Sequence, residues 1–168
     1  MNPPVAQTWI DSPFGRLLAR RSALGLSELH FPEGRPPPRP LCLPDEPAHP
    51  WFVQTHGLLA RWAQFDADPA LPPLDPQGTP FQEAVWRLLL QIPRGAHSDY
   101  ASLAEQLGDR NKCRAVGGAV GRNPVGILIP CHRVLGRDGS LTGFGGGLPM
   151  KRQLLALEGV AWREGVNA

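Results

Sequence analysis

Proline decides what this chain cannot do. Residues 32–50 contain eight prolines and residues 71–80 contain four more. Each proline fixes φ and lacks a backbone donor, so neither stretch can run as a helix or a central strand. They read as connectors, and regular structure is confined to what lies around them. Ahead of the first, segments 7–11, 16–21 and 24–31 are short, with Gly15 and Gly25 placed for turns, the pattern of a small antiparallel sheet. Between the connectors, Trp51, Phe52, Leu58, Leu59, Trp62 and Phe65 recur at helical spacing, which predicts one helix against that sheet. Residues 1–78 are therefore expected to form a small α+β unit.

Beyond the second connector the period becomes helical, and residues 79–168 are expected to form a second unit. Thr79-Pro80-Phe81-Gln82 supplies an N-cap Thr, a Pro at the first helical position and a Gln at the third, a capping box ahead of Phe81, Val85, Leu88, Leu89 and Ile92. Ser98 is placed to cap a short helix that Gly108 stops, and Asn111 to cap a third running through Arg114 to about Gly121. Two short helices joined by a tight turn suggest a helix-turn-helix. The third contains Ala115, Gly117, Gly118 and Ala119, although each interior glycine costs ~1 kcal/mol relative to alanine. Small side chains admit a close partner, either a neighbouring element or a nucleic-acid groove. A last helix is expected over 149–158, with Leu154, Leu155 and Leu157, before Gly159.

A 168-residue chain can bury a real core, ~70% of its unfolded surface for one domain of this size. No uncharged apolar run approaches the ~20 residues of a membrane helix. The start, Met1-Asn2-Pro3-Pro4, lacks the basic and apolar stretches of a secretory signal, so a cytoplasmic protein is expected. Cys42, Cys113 and Cys131 are odd in number and lack CxxC spacing, which argues against a disulfide framework and against structural zinc. No metal or cofactor is expected, since the glycines at 143–147 lack the strand-then-helix context of a phosphate loop. Charge is unevenly spread: residues 1–78 carry 6 basic and 8 acidic side chains, residues 79–168 carry 11 and 7. Arg110, Lys112, Arg114, Arg122, Arg133 and Arg137 fall in a stretch without an acidic residue, either a phosphate-binding footprint or a solvated basic face.

Chemistry concentrates at Pro130-Cys131-His132-Arg133, directly after the apolar Ile127-Leu128-Ile129. A Cys beside a His and an Arg is placed to have a lowered thiol pKa, and the thiolate is the nucleophile. The other reading is an inert core thiol, because adjacent side chains often point apart.

The run Arg114-Ala115-Val116-Gly117-Gly118-Ala119, then Asn123-Pro124, Ile127 to Val134, and Leu141-Thr142-Gly143-Phe144-Gly145-Gly146-Gly147 resembles the O6-alkylguanine-DNA alkyltransferases over about residues 79–160. The first half resembles that family's N-terminal ribonuclease-H-like domain through Asp11-Ser12-Pro13-Phe14-Gly15. The resemblance implies repair of O6-alkylguanine, and of O4-alkylthymine, in double-stranded DNA by irreversible, stoichiometric transfer of the alkyl group to Cys131. The nucleotide is flipped out through the minor groove, a step costing a few kcal/mol. By the same resemblance Cys131 is the acceptor, His132 the base acting through a water, Glu158 its orienting carboxylate, Asn123 a hinge and Tyr100 the phenol that bonds the guanine ring. Arg114 replaces the flipped base, while Ala115, Gly118, Ala119 and Arg122 meet DNA. Val134, Phe144, Gly145 and Gly146 line the substrate pocket. A monomer without an obligate protein partner is expected.

Phe144 stands where many family members have Tyr and Gly145 where some have Ser, and the resemblance implies that both keep the roles of those positions; the run Gly145-Gly146-Gly147 suggests a more mobile pocket loop and a wider substrate range, and Gly126, where some members have Pro, points the same way. Three other readings stay open: a lesion-binding protein without transfer, which the presence of Cys131 disfavours; a thiol hydrolase, which leaves Arg114 without a role; and a helix-turn-helix regulator, which lacks a dimerisation segment.

Overall fold

The computed structural model describes residues 2–31 and 42–164 and is a mixed α/β structure. The stretch 32–41, most of the first proline connector, lies outside the described residues. Strands β1 (Ala6–Ser12), β2 (Gly15–Arg21) and β3 (Leu26–His30) form an antiparallel sheet in that order. The first turn closes through Ser12, whose Oγ accepts from Phe14 N–H and donates to Gly15 O at 2.7 Å, with Gly15 at φ +104°. At the second turn a Cβ on Gly25 would stand 2.7 Å from Pro73 O, so only glycine lets the second connector cross here. That connector is irregular, yet it is anchored: Leu26 N–H donates to Pro73 O, and Asp75 N–H to Leu26 O.

Helix α1 (Pro50–Ala60) begins on the last proline of the first connector and buries Phe52, Thr55, Leu58 and Leu59 against β1. Trp62 and Phe65 fall beyond its end; Trp62 lies in a 3₁₀ turn, Trp62–Gln64, and is buried. Helix α2 (Pro80–Leu90) carries both capping-box bonds, Gln82 N–H to Thr79 Oγ1 and Thr79 N–H to Gln82 Oε1, and buries Val85, Trp86 and Leu89. Two helix starts differ from expectation. Ser98 pairs with Val134 in a short parallel ladder of β4 (Ser98–Asp99) with β5 (Val134–Leu135), and Asp99 caps α3 (Tyr100–Gln106) by accepting from Ser102 N–H. Asn111 is likewise inside a 3₁₀ turn, Arg110–Lys112, capped by Asp109, and α4 (Cys113–Gly121) begins after it. In both places a carboxylate beside the expected residue takes the orphan donors. Helix α5 (Leu148–Leu157) buries Leu154 and Leu155 but leaves Leu157 exposed.

One apolar cluster draws from both halves, with Leu17, Leu26 and Leu29 from the sheet and Val116, Val125, Ile127 and Ile129 from beyond residue 79. Each large apolar side chain so buried contributes ~1.5–3 kcal/mol relative to exposure. The seam is stitched by backbone as well, Leu29 N–H to Pro124 O at 2.8 Å and Gly126 N–H to Leu29 O at 3.2 Å.

Candidate active site

Residues 123–131 fold back so tightly that they set the position of one sulfur. Ile129 N–H donates to Val125 O, Leu128 N–H to Gly126 O and Cys131 N–H to Ile129 O. Ile127 sits at φ +68°, the left-handed region that a β-branched residue occupies only at a cost of ~1–3 kcal/mol. Asn123 holds the loop from within: its Nδ2 donates to Ile129 O at 2.8 Å and its Oδ1 accepts from Val125 N–H at 3.0 Å. It stands just past α4, so the end of that helix and the turn bearing Cys131 are tied together.

The Cys131 thiol is buried, and burial pushes its pKa up, against a hydrogen bond from Asn123 and the nearby Lys151 ammonium. It therefore rests as the neutral thiol. The thiol-lowering His and Arg expected from adjacency act elsewhere: in the 3₁₀ turn Cys131–Arg133, successive side chains point in different directions. His132 Nε2 lies 2.9 Å from Glu158 Oε2. Arg133 spends its donors on Glu158, Asp68 and the Ile92 carbonyl, a charge paired on both sides.

Glu158 accepts from His132, Arg133 and the Trp62 indole, the last at 3.0 Å across 96 residues of sequence. Burial alone would raise its carboxyl, but the hydrogen bonds from His132 and Arg133 and the Arg133 charge take it down to about 2. For His132 burial prevails, assisted by Arg133 and Lys151, and lowers the imidazole despite Glu158. A neutral imidazole facing a carboxylate keeps its proton on Nε2, which leaves Nδ1 as a lone pair, buried and with no hydrogen-bond partner among the described residues. The residue that follows the protonated thiol thus carries a buried proton acceptor.

Lys151 completes the surroundings, and sequence reasoning missed it. It is buried on α5, and its Nζ donates to Val134 O at 2.7 Å and to Thr142 Oγ1 at 3.1 Å. Burial lowers its pKa to about 8, with Cys131 opposing. Tyr100 Oη lies 2.6 Å from the same Thr142 hydroxyl, and burial raises the phenol pKa, so it stays protonated. Asp68 and Trp62 were also missed; both reach the site from before residue 79.

Cys131 opens on a cavity of about 280 Å³, whose wall includes Asn123, Gly126, Phe144 and Gly145 from the second half and Glu28, His30 and Phe31 from the first. Val134 is buried and does not line this cavity, nor do Tyr100 and Gly146. The space at Gly126 is taken up by the Phe31 ring, from which a Cβ there would stand 2.6 Å. On α4, Arg114 and Ala115 are exposed and Gly118 is half-buried; Arg122, just past its end, is also exposed. Ala119 faces inward instead: it is buried, its carbonyl accepting from the Trp86 indole, so it packs rather than meeting a surface partner. Arg133 likewise leaves the basic footprint, while Arg110, Lys112 and Arg137 stay exposed. Among the described residues no group of three His, Cys, Asp or Glu is placed to hold a metal, and no helix is long and apolar enough to cross a membrane.

A buried thiol at a cavity, followed by a residue with an unpaired proton acceptor and preceded by a helix that presents exposed Arg114 between Lys112 and Arg122, fits a cysteine-dependent transferase with a surface suited to a polyanion. Residues 80–160 match the family described as 6-O-methylguanine DNA methyltransferase, DNA binding domain. The methylated-DNA–protein-cysteine methyltransferase of Haemophilus influenzae is 40% identical over 156 residues, 92% of this chain and 87% of that protein. That of Mycobacterium tuberculosis is 42% identical over 152 residues, 89% of each. The crystal structure of M. tuberculosis OGT in complex with DNA matches with a TM-score of 0.83 at 37% identity, covering 92% of this chain and 93% of that one. This chain belongs to the methylated-DNA–protein-cysteine methyltransferases.

Proposed function

We propose that the protein repairs O6-alkylguanine, and O4-alkylthymine, in double-stranded DNA by one irreversible transfer of the alkyl group to Cys131. The observation that carries this reading is the pairing of a protonated, buried thiol at a cavity with a neutral His132 whose Nδ1 is free to accept a proton. His132 takes the thiol proton through a water, the sulfur attacks the alkyl carbon, the C–O6 bond breaks, and its electron pair leaves with the guanine. The Tyr100 phenol, protonated at rest, donates to the departing ring so that it leaves neutral, and the Gly145 N–H serves O6. The product is a thioether on Cys131, so each chain acts once. Glu158 orients His132, in the nucleophile, base and orienter arrangement of hydrolytic triads.

In this reading residues 1–78 form a ribonuclease-H-like unit and residues 79–168 a unit whose α3 and α4 make a helix-turn-helix, with α4 in the minor groove. The protein acts as a monomer. Exposed Arg114 and Ala115 and the half-buried Gly118 face DNA, with Arg122 at the helix end, and Arg114 fills the place of the flipped nucleotide. Asn123 couples that helix to the cysteine turn.

Arg114→Ala tests the flipping step. Unflipped substrate pays the penalty and a free base does not, so alkylation by lesion duplex should slow at least ~10-fold, the equivalent of ~1.4 kcal/mol. Alkylation by free O6-benzylguanine should stay within about twofold, since no nucleotide need be extruded. An equal loss on both substrates would refute the role given to Arg114.

A further inference from the structure

Part of the cavity wall comes from the first half of the sequence. Phe31, directly after β3, sets its ring edge-on to Phe144 with centroids 5.4 Å apart at 62°, and Phe144 stands 6.5 Å from the His132 ring. Two glycines make room for it. A Cβ on Gly126 would lie 2.6 Å from Phe31 Cε2, and one on Gly146 would lie 3.1 Å from Phe31 Cδ1 and 2.8 Å from Met150 Sδ. Neither glycine has a positive φ, so backbone conformation does not require them; the aromatic ring does.

We propose that Phe31 is a specificity-determining residue of the alkyl pocket, filling the space left by Gly126 and Gly146 and limiting the size of the group that reaches Cys131. The inference rests on the reading of Cys131 as alkyl acceptor. Phe31, Phe144, Gly126 and Cys131 all line one cavity, and a methyl group needs little of it while a benzyl group needs a flat apolar slot. Edge-to-face packing fixes Phe144 against Phe31, so the pocket loop and the first-half sheet close on the alkyl group as one wall. Substrate range is therefore set partly by a residue outside the region 80–160.

The test compares rates of Cys131 alkylation by O6-benzylguanine and O6-methylguanine, each placed in the same duplex so that DNA binding is common to both. Phe31→Ala should raise the benzyl-to-methyl rate ratio about tenfold, with Phe31→Leu in between, because widening the slot favours the larger group. Adding Gly126→Ala to Phe31→Ala refills the slot and should move the ratio back toward that of the unmodified protein. A merely structural role for Phe31 would slow both substrates alike, and a ratio unchanged within twofold in both folded Phe31 variants overturns the proposal. If the unmodified protein is alkylated by neither duplex, the acceptor reading itself fails, and the proposal with it.

Discussion

Cys131→Ser should lose alkyl transfer by at least ~10⁴-fold while keeping affinity for lesion-bearing duplex within about twofold, a barrier increase of ~5.5 kcal/mol or more. A hydroxyl is a far weaker acid than a thiol, and His132, already lowered by burial, is a modest base that cannot ionise it. The exchange of sulfur for oxygen leaves the Ile127 turn, the Asn123 bonds and the exposed face of α4 untouched. Lesion binding should thus survive in single-turnover assays paired with gel shifts. Loss of both together would mean that the thiol holds the turn in place rather than reacting.

The second large effect is on stability. Glu158→Ala strips the acceptor from His132 Nε2, Arg133 and the Trp62 indole at once. Removing one partner of a buried ion pair costs ~3–5 kcal/mol when the remaining charge is left uncompensated, and because Arg133 keeps Asp68 and the Ile92 carbonyl the loss should fall at the low end of that range. Denaturant unfolding should register this as a fall in midpoint. The pH dependence has a definite sign. The folded-state pKa of Glu158, about 2, lies below the ordinary value of 4.5, so its contribution is complete above pH 4.5 and is lost as pH falls toward 2. The unmodified protein should lose on the order of 3 kcal/mol more than Glu158→Gln across that window. Parallel curves for the two proteins would show that the carboxylate does not supply the stability assigned to it.

What could be read from sequence was local. The capping box at Thr79, the strand turns at Gly15 and Gly25, and the stop at Gly108 each depend on neighbours within a few residues, and each formed where the pattern placed it. The caps at Ser98 and Asn111 went to Asp99 and Asp109 because several acceptors competed within one turn. The Pro-Cys-His-Arg run pointed to the site, but adjacency misled about its electrostatics: His132 and Arg133 turn toward Glu158, and the charge near the thiol is Lys151, 20 residues on. Lys151 left one trace, since 15 of the 17 basic residues are arginine and a lysine stands within an aliphatic helix. Trp62, Asp68 and Phe31 left none. Their roles come from packing between segments far apart in the chain, which no local period encodes.

Intact and peptide mass spectrometry after mixing the protein with an equimolar duplex containing one O6-methylguanine tests alkyl transfer to Cys131 most directly. The expected result is one methyl group on the peptide bearing Cys131, saturating at one per chain however much duplex is added. An unchanged mass while a gel shift shows the lesion bound, or a methyl group on Cys42 or Cys113 instead, would contradict it.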